Sequence, residues 1–312
     1  MKYLITGCHG FVGSYLVRQL AEQDAAASIV AVDRGHAPPG LQVTATHDID
    51  LLELDVFANI IAREQPEFLI HLASLSSVGA SWRDPVASFT NNTNIFLNVL
   101  EGVRRGSPKT RILSVGSSEE YGLVDPEELP LRETSPLHPV SPYAVARVAQ
   151  EHLGEVYVRG FGLDIVATRS FNHVGAGQTD QFVISALGKQ FAELAKGKRD
   201  HLAVGTTSVV RDFLDVRDVV TAYGKLLIHG ATGEIYNVCS GRGTSIAGAI
   251  EVFEAITGIH PKVVADPARM RPVENAFVVG SNDKLASAVG WHPVYSLDDS
   301  LRAVYDYWAE RV

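Results

Sequence analysis

The chain predicts an α/β fold, a doubly wound parallel sheet with a smaller C-terminal lobe. Three observations predict it. A buried apolar run, Lys2 to Thr6, passes straight into Gly7-Cys8-His9-Gly10-Phe11-Val12-Gly13 and then into helical periodicity. Short β-branched runs and longer amphipathic stretches then alternate as far as Arg169, the pattern of βαβ units. With 312 residues, 46% hydrophobic and 20% charged, the chain can bury one large core or two unequal ones.

Charge and composition exclude several classes. A net charge of −9 argues against phosphate-backbone binding to nucleic acid, which needs a basic footprint. Two cysteines, Cys8 and Cys239, are too few for a disulfide framework and favour a reducing compartment. Met1-Lys2-Tyr3-Leu4-Ile5-Thr6 runs into glycines with no signal-peptide pattern, and no window approaches the roughly 20 apolar residues of a membrane span. A soluble cytoplasmic protein is expected. His47, His71, His138, His152, His173 and His201 show no paired-ligand spacing on one helix, so no metal site is expected.

The first loop is G-x-x-G-x-x-G between strand and helix, the context of Rossmann-type dinucleotide binding. Gly7 permits the tight turn, Gly10 lets backbone approach a pyrophosphate, and Gly13 allows close helix packing. Phe11 and Val12 complete the loop, and a helix follows from about Ser14 to Gln23. A strand from Ser28 to Val32 ends in Asp33-Arg34. Asp33 suits the adenosine ribose hydroxyls and favours NAD(H), whereas Arg34 suits the 2′-phosphate of NADP(H), so the cofactor is one of the two with NAD leading. Asp48 and Ile49, ending the next short strand, are expected beside the adenine. Phe68 to Leu72 is a strand that leads through Ala73 and Ser74 over the cofactor.

Phe89 to Arg105 reads as a long helix, with Asn91, Asn92 and Asn94 on it and one Asn expected to reach the sheet ends. Arg111 to Val115 is a strand that delivers Ser117-Ser118-Glu119-Glu120-Tyr121-Gly122 to the carboxyl edge, where ligands of open α/β sheets sit. Ser141-Pro142 starts a helix running to about Gly160. It carries Tyr143 and Arg147, which share one face at i and i+4 and set a phenol beside a fixed cation. Leu163 to Thr168 is a strand, Val183 to Ala195 a helix, and a short strand lies near His201. Val209 to Phe213 is expected to return the chain to the first lobe, followed by a helix from Val216 to His229 and a strand from Ile235 to Val238. The resulting division is residues 1–170 with about 211–238 as the dinucleotide-binding domain, and about 171–210 with 239–312 as a substrate-binding lobe.

Taken together, these strings resemble the extended short-chain dehydrogenase/reductase family of nucleotide-sugar enzymes. The resemblance rests on the glycine loop, Asp33, His71-Leu72-Ala73, Ser117 four before Tyr121-Gly122, and Tyr143. It continues through Arg169-Ser170-Phe171-Asn172-His173, Arg211-Asp212-Phe213 with Asp215-Val216, Tyr236-Asn237-Val238 and Arg271-Pro272-Val273-Glu274. Within the family it is most similar to the reductases of GDP-4-keto-6-deoxy-mannose, which form GDP-rhamnose, and close to the GDP-mannose 4,6-dehydratases. The resemblance implies Ser117, Tyr143 and residue 147 as catalytic, with Tyr143 and residue 147 also on the cofactor. It implies a nucleoside-diphosphate sugar held by Ser117, Asn172, Val183, Arg211, Arg271 and Glu274, and a homodimer built on a four-helix contact. Read alone, Arg211 is as well explained by pairing with Asp212 or Asp215.

Two residues keep alternatives open. Glu119 stands where the sugar dehydratases carry a proton-transfer Glu, so a dehydratase, a bifunctional enzyme or a 4-epimerase competes with a reductase. Arg147 departs from the family's Lys, which binds the nicotinamide ribose and favours the tyrosinate. Arg keeps the charge but replaces a compact donor with a planar fork. A dinucleotide-binding protein with little catalysis is therefore the third reading.

Overall fold

The computed structural model of the protein describes residues 1–312 except 36, 39, 271, 272 and 274. Its centre is a seven-stranded sheet in which every pairing is parallel. The strands are β1 (Lys2–Thr6), β2 (Ser28–Asp33), β3 (Ala45–Asp48), β4 (Phe68–His71), β5 (Arg111–Ser117), β6 (Ile165–Ser170) and β10 (Ile235–Val238), in the order β10-β6-β5-β4-β1-β2-β3. Strands buried on both faces read as near-continuous apolar runs, as Tyr3-Leu4-Ile5 and Ile29 to Val32 do.

Helices cover both faces. On one, α1 (Phe11–Gln23) and α7 (Val216–His229) pack over Ile5, Ile29 and Val166 through Leu16, Val17, Leu20, Val219 and Tyr223. On the other, α2 (Leu54–Glu64), α4 (Pro85–Gly106) and α5 (Pro142–Phe161) cover Leu4, Leu69 and Ile112 with Phe57, Phe96, Val99, Leu100 and Tyr157. A short α3 (Val78–Arg83) precedes α4. Local chemistry sets the helix starts. Ser141 accepts from Ala144 N at 3.1 Å ahead of Pro142, and Asp84 accepts from Ala87 N at 2.9 Å ahead of Pro85. The helix α1 begins at Phe11, three residues before the expected Ser14, because Gly10 already serves as its N-cap.

The second lobe holds a small sheet of β7 (Asn172–Val174), β9 (Val210–Asp215), β11 (Gly243–Ser245) and β13 (Phe277–Val278), with β9 at its centre. The helix α9 (Asp283–Val289) packs through Leu285 on β10 and α7 of the large sheet, while beside the small sheet lie the pair β8 (His201–Val204) and β12 (Lys262–Ala265) and the helices α6 (Val183–Ala195), α8 (Ile246–Thr257) and α10 (Leu297–Ala309). Their core joins Phe191, Leu202, Phe213, Phe253 and Leu301. The return of the chain to the first lobe, expected at 209–213, falls later. β9 pairs only with strands of the small sheet, and the return comes one element later, at α7. A strand's own pattern shows that it is half buried but not which sheet it joins. Among the described residues no helix is long and apolar enough to cross a membrane.

Candidate active site

A cleft of about 1120 Å³ opens along the carboxyl edge of the large sheet, with the small sheet as its far wall. Its near wall is the glycine loop. Gly7 has φ +70°, and a Cβ there would lie 2.6 Å from Ala73 N, so only glycine lets β1 turn this closely against the chain leaving β4. A Cβ on Gly13 would lie 2.4 Å from Cys8 O, which keeps α1 tight on its own loop. Gly10 supplies no side-chain cap to α1, so the unsatisfied N–H groups of the first turn present an anion site to the cleft. This cradle fits the pyrophosphate of a dinucleotide.

Asp33 ends β2 with its carboxylate accepting from His9 N and Arg34 N, both at 2.8 Å, and lines the cleft with Arg34. The Arg34 side chain is 66% exposed and 3.9 Å from Asp50. Ile49, Leu72, Ala73 and Ser74 also line the cleft. Asp48 is not among the lining residues; its Oδ1 accepts from Gly35 N at 2.8 Å and braces the turn behind Asp33. Of the three asparagines on α4, Asn92 is buried and holds Leu75 by both backbone groups, at 2.8 and 3.2 Å, while Asn91 reaches the cleft.

The floor comes from β5 and α5. Tyr143, Arg147, Gln150, Gly154 and Tyr157 form one buried stripe of α5 at helical spacing, with Tyr143 and Arg147 at its cleft end. The Arg147 guanidinium carbon lies 5.1 Å from the Tyr143 ring centroid. Arg147 Nη1 donates to Val115 O at 3.2 Å and to Gln150 Oε1 at 2.5 Å. Burial and the nearby Arg147 charge push the His71 imidazole down to about 3, leaving it neutral against Thr6 Oγ1 at 2.9 Å. Burial alone lowers His173, on the cleft wall, to about 4.

Ser117 and Glu119 line the same floor. Ser117 Oγ accepts from Glu119 N at 3.2 Å, and Ser117 N donates to Glu120 Oε1 at 2.7 Å, a reciprocal cap that fixes the turn after β5. Glu120 is fully buried. Burial first, and Glu151 second, raise its carboxyl well above the usual range, and Arg169, 3.8 Å away and bidentate with Glu151, only partly opposes them.

Asn172, Val183 and Arg211 line the far wall, from β7, α6 and β9. Asp212 accepts from Ser240 N, Ser240 Oγ and Gly241 N at 2.6–2.9 Å, and burial lifts it to about 6 despite those donors. Asp215 holds Arg217 and Ser300. Arg271 and Glu274 lie outside the described residues. Sequence reading missed Gln150 and Ser114 beneath Arg147, although a Gln at i+3 from Arg147 on the Tyr143 stripe was a usable signal. It also missed His9, Trp82 and Gln181 on the cleft wall.

A glycine-loop cradle on a parallel sheet, with a Ser–Tyr–cation floor facing a second lobe, defines the class of nucleotide-sugar oxidoreductases built on the Rossmann fold. The profile of the family described as GDP-mannose 4,6 dehydratase matches residues 4–304, and the chain belongs to that family. It is 37% identical to the GDP-6-deoxy-D-mannose reductase of Pseudomonas aeruginosa over 312 residues, covering 100% of this chain and 98% of that one. The structure of RMD from the same organism, complexed with NADPH, superposes with a TM-score of 0.89 at 36% identity over 100% and 99% of the two chains. A UDP-glucuronic acid 4-epimerase from Bacillus cereus, in complex with UDP-glucuronic acid and NAD, gives 0.88 at 26% identity over 99% of each. A nicotinamide dinucleotide is therefore the cofactor class, with both forms represented among these relatives.

Proposed function

We propose that the protein reduces the C4 ketone of a nucleotide-activated 4-keto-6-deoxy sugar, converting GDP-4-keto-6-deoxy-mannose to GDP-rhamnose with NAD(P)H. The observation that carries this reading is that Ser117, Tyr143 and Arg147 lie on the floor of the cleft that the glycine loop walls. Similarity to the Pseudomonas aeruginosa reductase over the whole chain supports it.

When bound, the reduced dinucleotide supplies the hydride. Gly7, Gly10, Phe11, Val12 and Gly13 would hold its pyrophosphate, and Asp33 with Arg34 the adenosine ribose. Tyr143 gives its phenolic proton to the ketone oxygen as C4 is reduced to the alcohol, and Ser117 donates a hydrogen bond to that oxygen where charge develops. Arg147 stabilises the phenolate left behind, which solvent reprotonates. Asn172, Val183 and Arg211 hold the nucleoside diphosphate, for which a guanidinium supplies paired donors. Purified protein given GDP-4-keto-6-deoxy-mannose should oxidise NADPH or NADH stoichiometrically with a 4-hydroxy product; no oxidation with either cofactor overturns the reading.

A second reading, 4,6-dehydration of GDP-mannose, is favoured by Glu119 lining the cleft two residues from Ser117. It requires a 4-keto-6-deoxy product from GDP-mannose alone and its loss in Glu119→Gln. We further propose a cytoplasmic homodimer. Val86, Phe89, Val145, Val156 and Phe161 are exposed on α4 and α5, the helices of the expected four-helix contact.

A further inference from the structure

Arg147 is an unusual buried cation. Its residue is 4% exposed, its Nε has no partner, and among the described residues no carboxylate pairs with it. Desolvating a charge without a counter-ion is costly, so the surrounding groups must compensate or the charge must be needed. The neighbours that sense it are neutral: His71 from β4 and Tyr223 from α7. The compensation seen is dipolar. Gln150 Oε1 and Val115 O both accept from Nη1, while Gln150 Nε2 donates to Ser114 Oγ at 2.9 Å and to Val115 O at 3.1 Å. The amide is thus locked by β5 with its oxygen aimed at the guanidinium.

We propose that Gln150, itself fixed by Ser114, is a positioning residue that makes an arginine workable at this point of the site. A guanidinium is wider than an ammonium and brings two terminal nitrogens. Gln150 and Val115 take Nη1 into the sheet. Nη2, to which no described residue is bonded, remains for the cleft. The fork then behaves toward the nicotinamide ribose and Tyr143 as a single donor. This rests on the role given to Arg147 above.

The test is NADPH affinity of the full-length protein by fluorescence titration, which needs no sugar substrate, with kcat and KM measured alongside. Losing a hydrogen bond to a charged group should weaken NADPH binding about tenfold in Gln150→Met, with a smaller loss in Ser114→Ala. Adding Arg147→Lys to Gln150→Met should restore affinity, because an ammonium has no second nitrogen to anchor. A general packing defect would not be repaired that way. Unchanged affinity in both single variants overturns the proposal, as does a double variant no better than Gln150→Met alone. Should Gln150→Met not fold, Ser114→Ala alone and combined with Arg147→Lys gives the same two comparisons. If the wild type reduces no 4-keto sugar, the functional reading fails while the affinity comparison still decides this one.

Discussion

At the scale of single residues, the site is governed by which polar groups are taken and which are left. Ser117 is held by its own turn: its backbone N–H donates to Glu120 Oε1 and its Oγ accepts from Glu119 N, which places the hydroxyl without help from the substrate. Among the described residues Tyr143 has no comparable tether, and it is placed by the helix that carries it. Tyr143→Phe keeps the ring and removes only the transferable proton. It should lower kcat for ketone reduction by about 10²- to 10⁴-fold while leaving NADPH affinity within about twofold, read from steady-state kinetics and a binding titration. Most residues of this site were legible in the sequence because each belongs to a string with its own chemistry. Gln150 is the exception: its spacing from Arg147 puts it on the Tyr143 stripe, but only the structure shows Ser114 and Val115 beneath it. Asp48 failed in the opposite sense. Its position at the strand end was right, and its side chain turned to Gly35 N.

At the scale of elements, α4 and α5 are coupled by charge as well as by packing. Glu101 on α4 accepts from Arg104 at 2.8 Å and from Tyr157 on α5 at 2.8 Å. The Arg104 hydrogen bonds first, and that of Tyr157 next, bring the Glu101 carboxyl down to about 2 from an ordinary 4.5. A carboxylate lowered on folding contributes stability that is fully present above its unfolded value and is lost as pH falls toward its folded one. Glu101→Gln should therefore lower the melting temperature at neutral pH, and the gap should close as pH drops from about 4.5 to about 2, measured by thermal melts across that range. The long elements were legible from periodicity and caps. The strands β7, β11 and β13 are two or three residues long, too short to show a period, and they are what gives β9 its partners. For that reason the sequence pattern alone does not place β9 in the small sheet.

At the scale of the whole molecule, the outer face of α4 and α5 is the surface to test. Val156 is 57% exposed and Phe161 54%, on the helix that also carries Tyr143. A homodimer through this face predicts that Val156→Asp runs as a monomer in analytical ultracentrifugation while the wild type sediments as a dimer. A wild-type monomer would refute it.

The chain passes between the two sheets with almost no slack. One residue, Phe171, separates β6 of the large sheet from β7 of the small one, and β9 runs into α7 without any. Neither part is one continuous stretch of chain, so neither can be released by cutting a linker. Melting one should pull the other down with it: thermal unfolding is expected as a single calorimetric transition, and proteolysis should yield no stable half. In a molecule tied together in this way the two parts survive or fail as one.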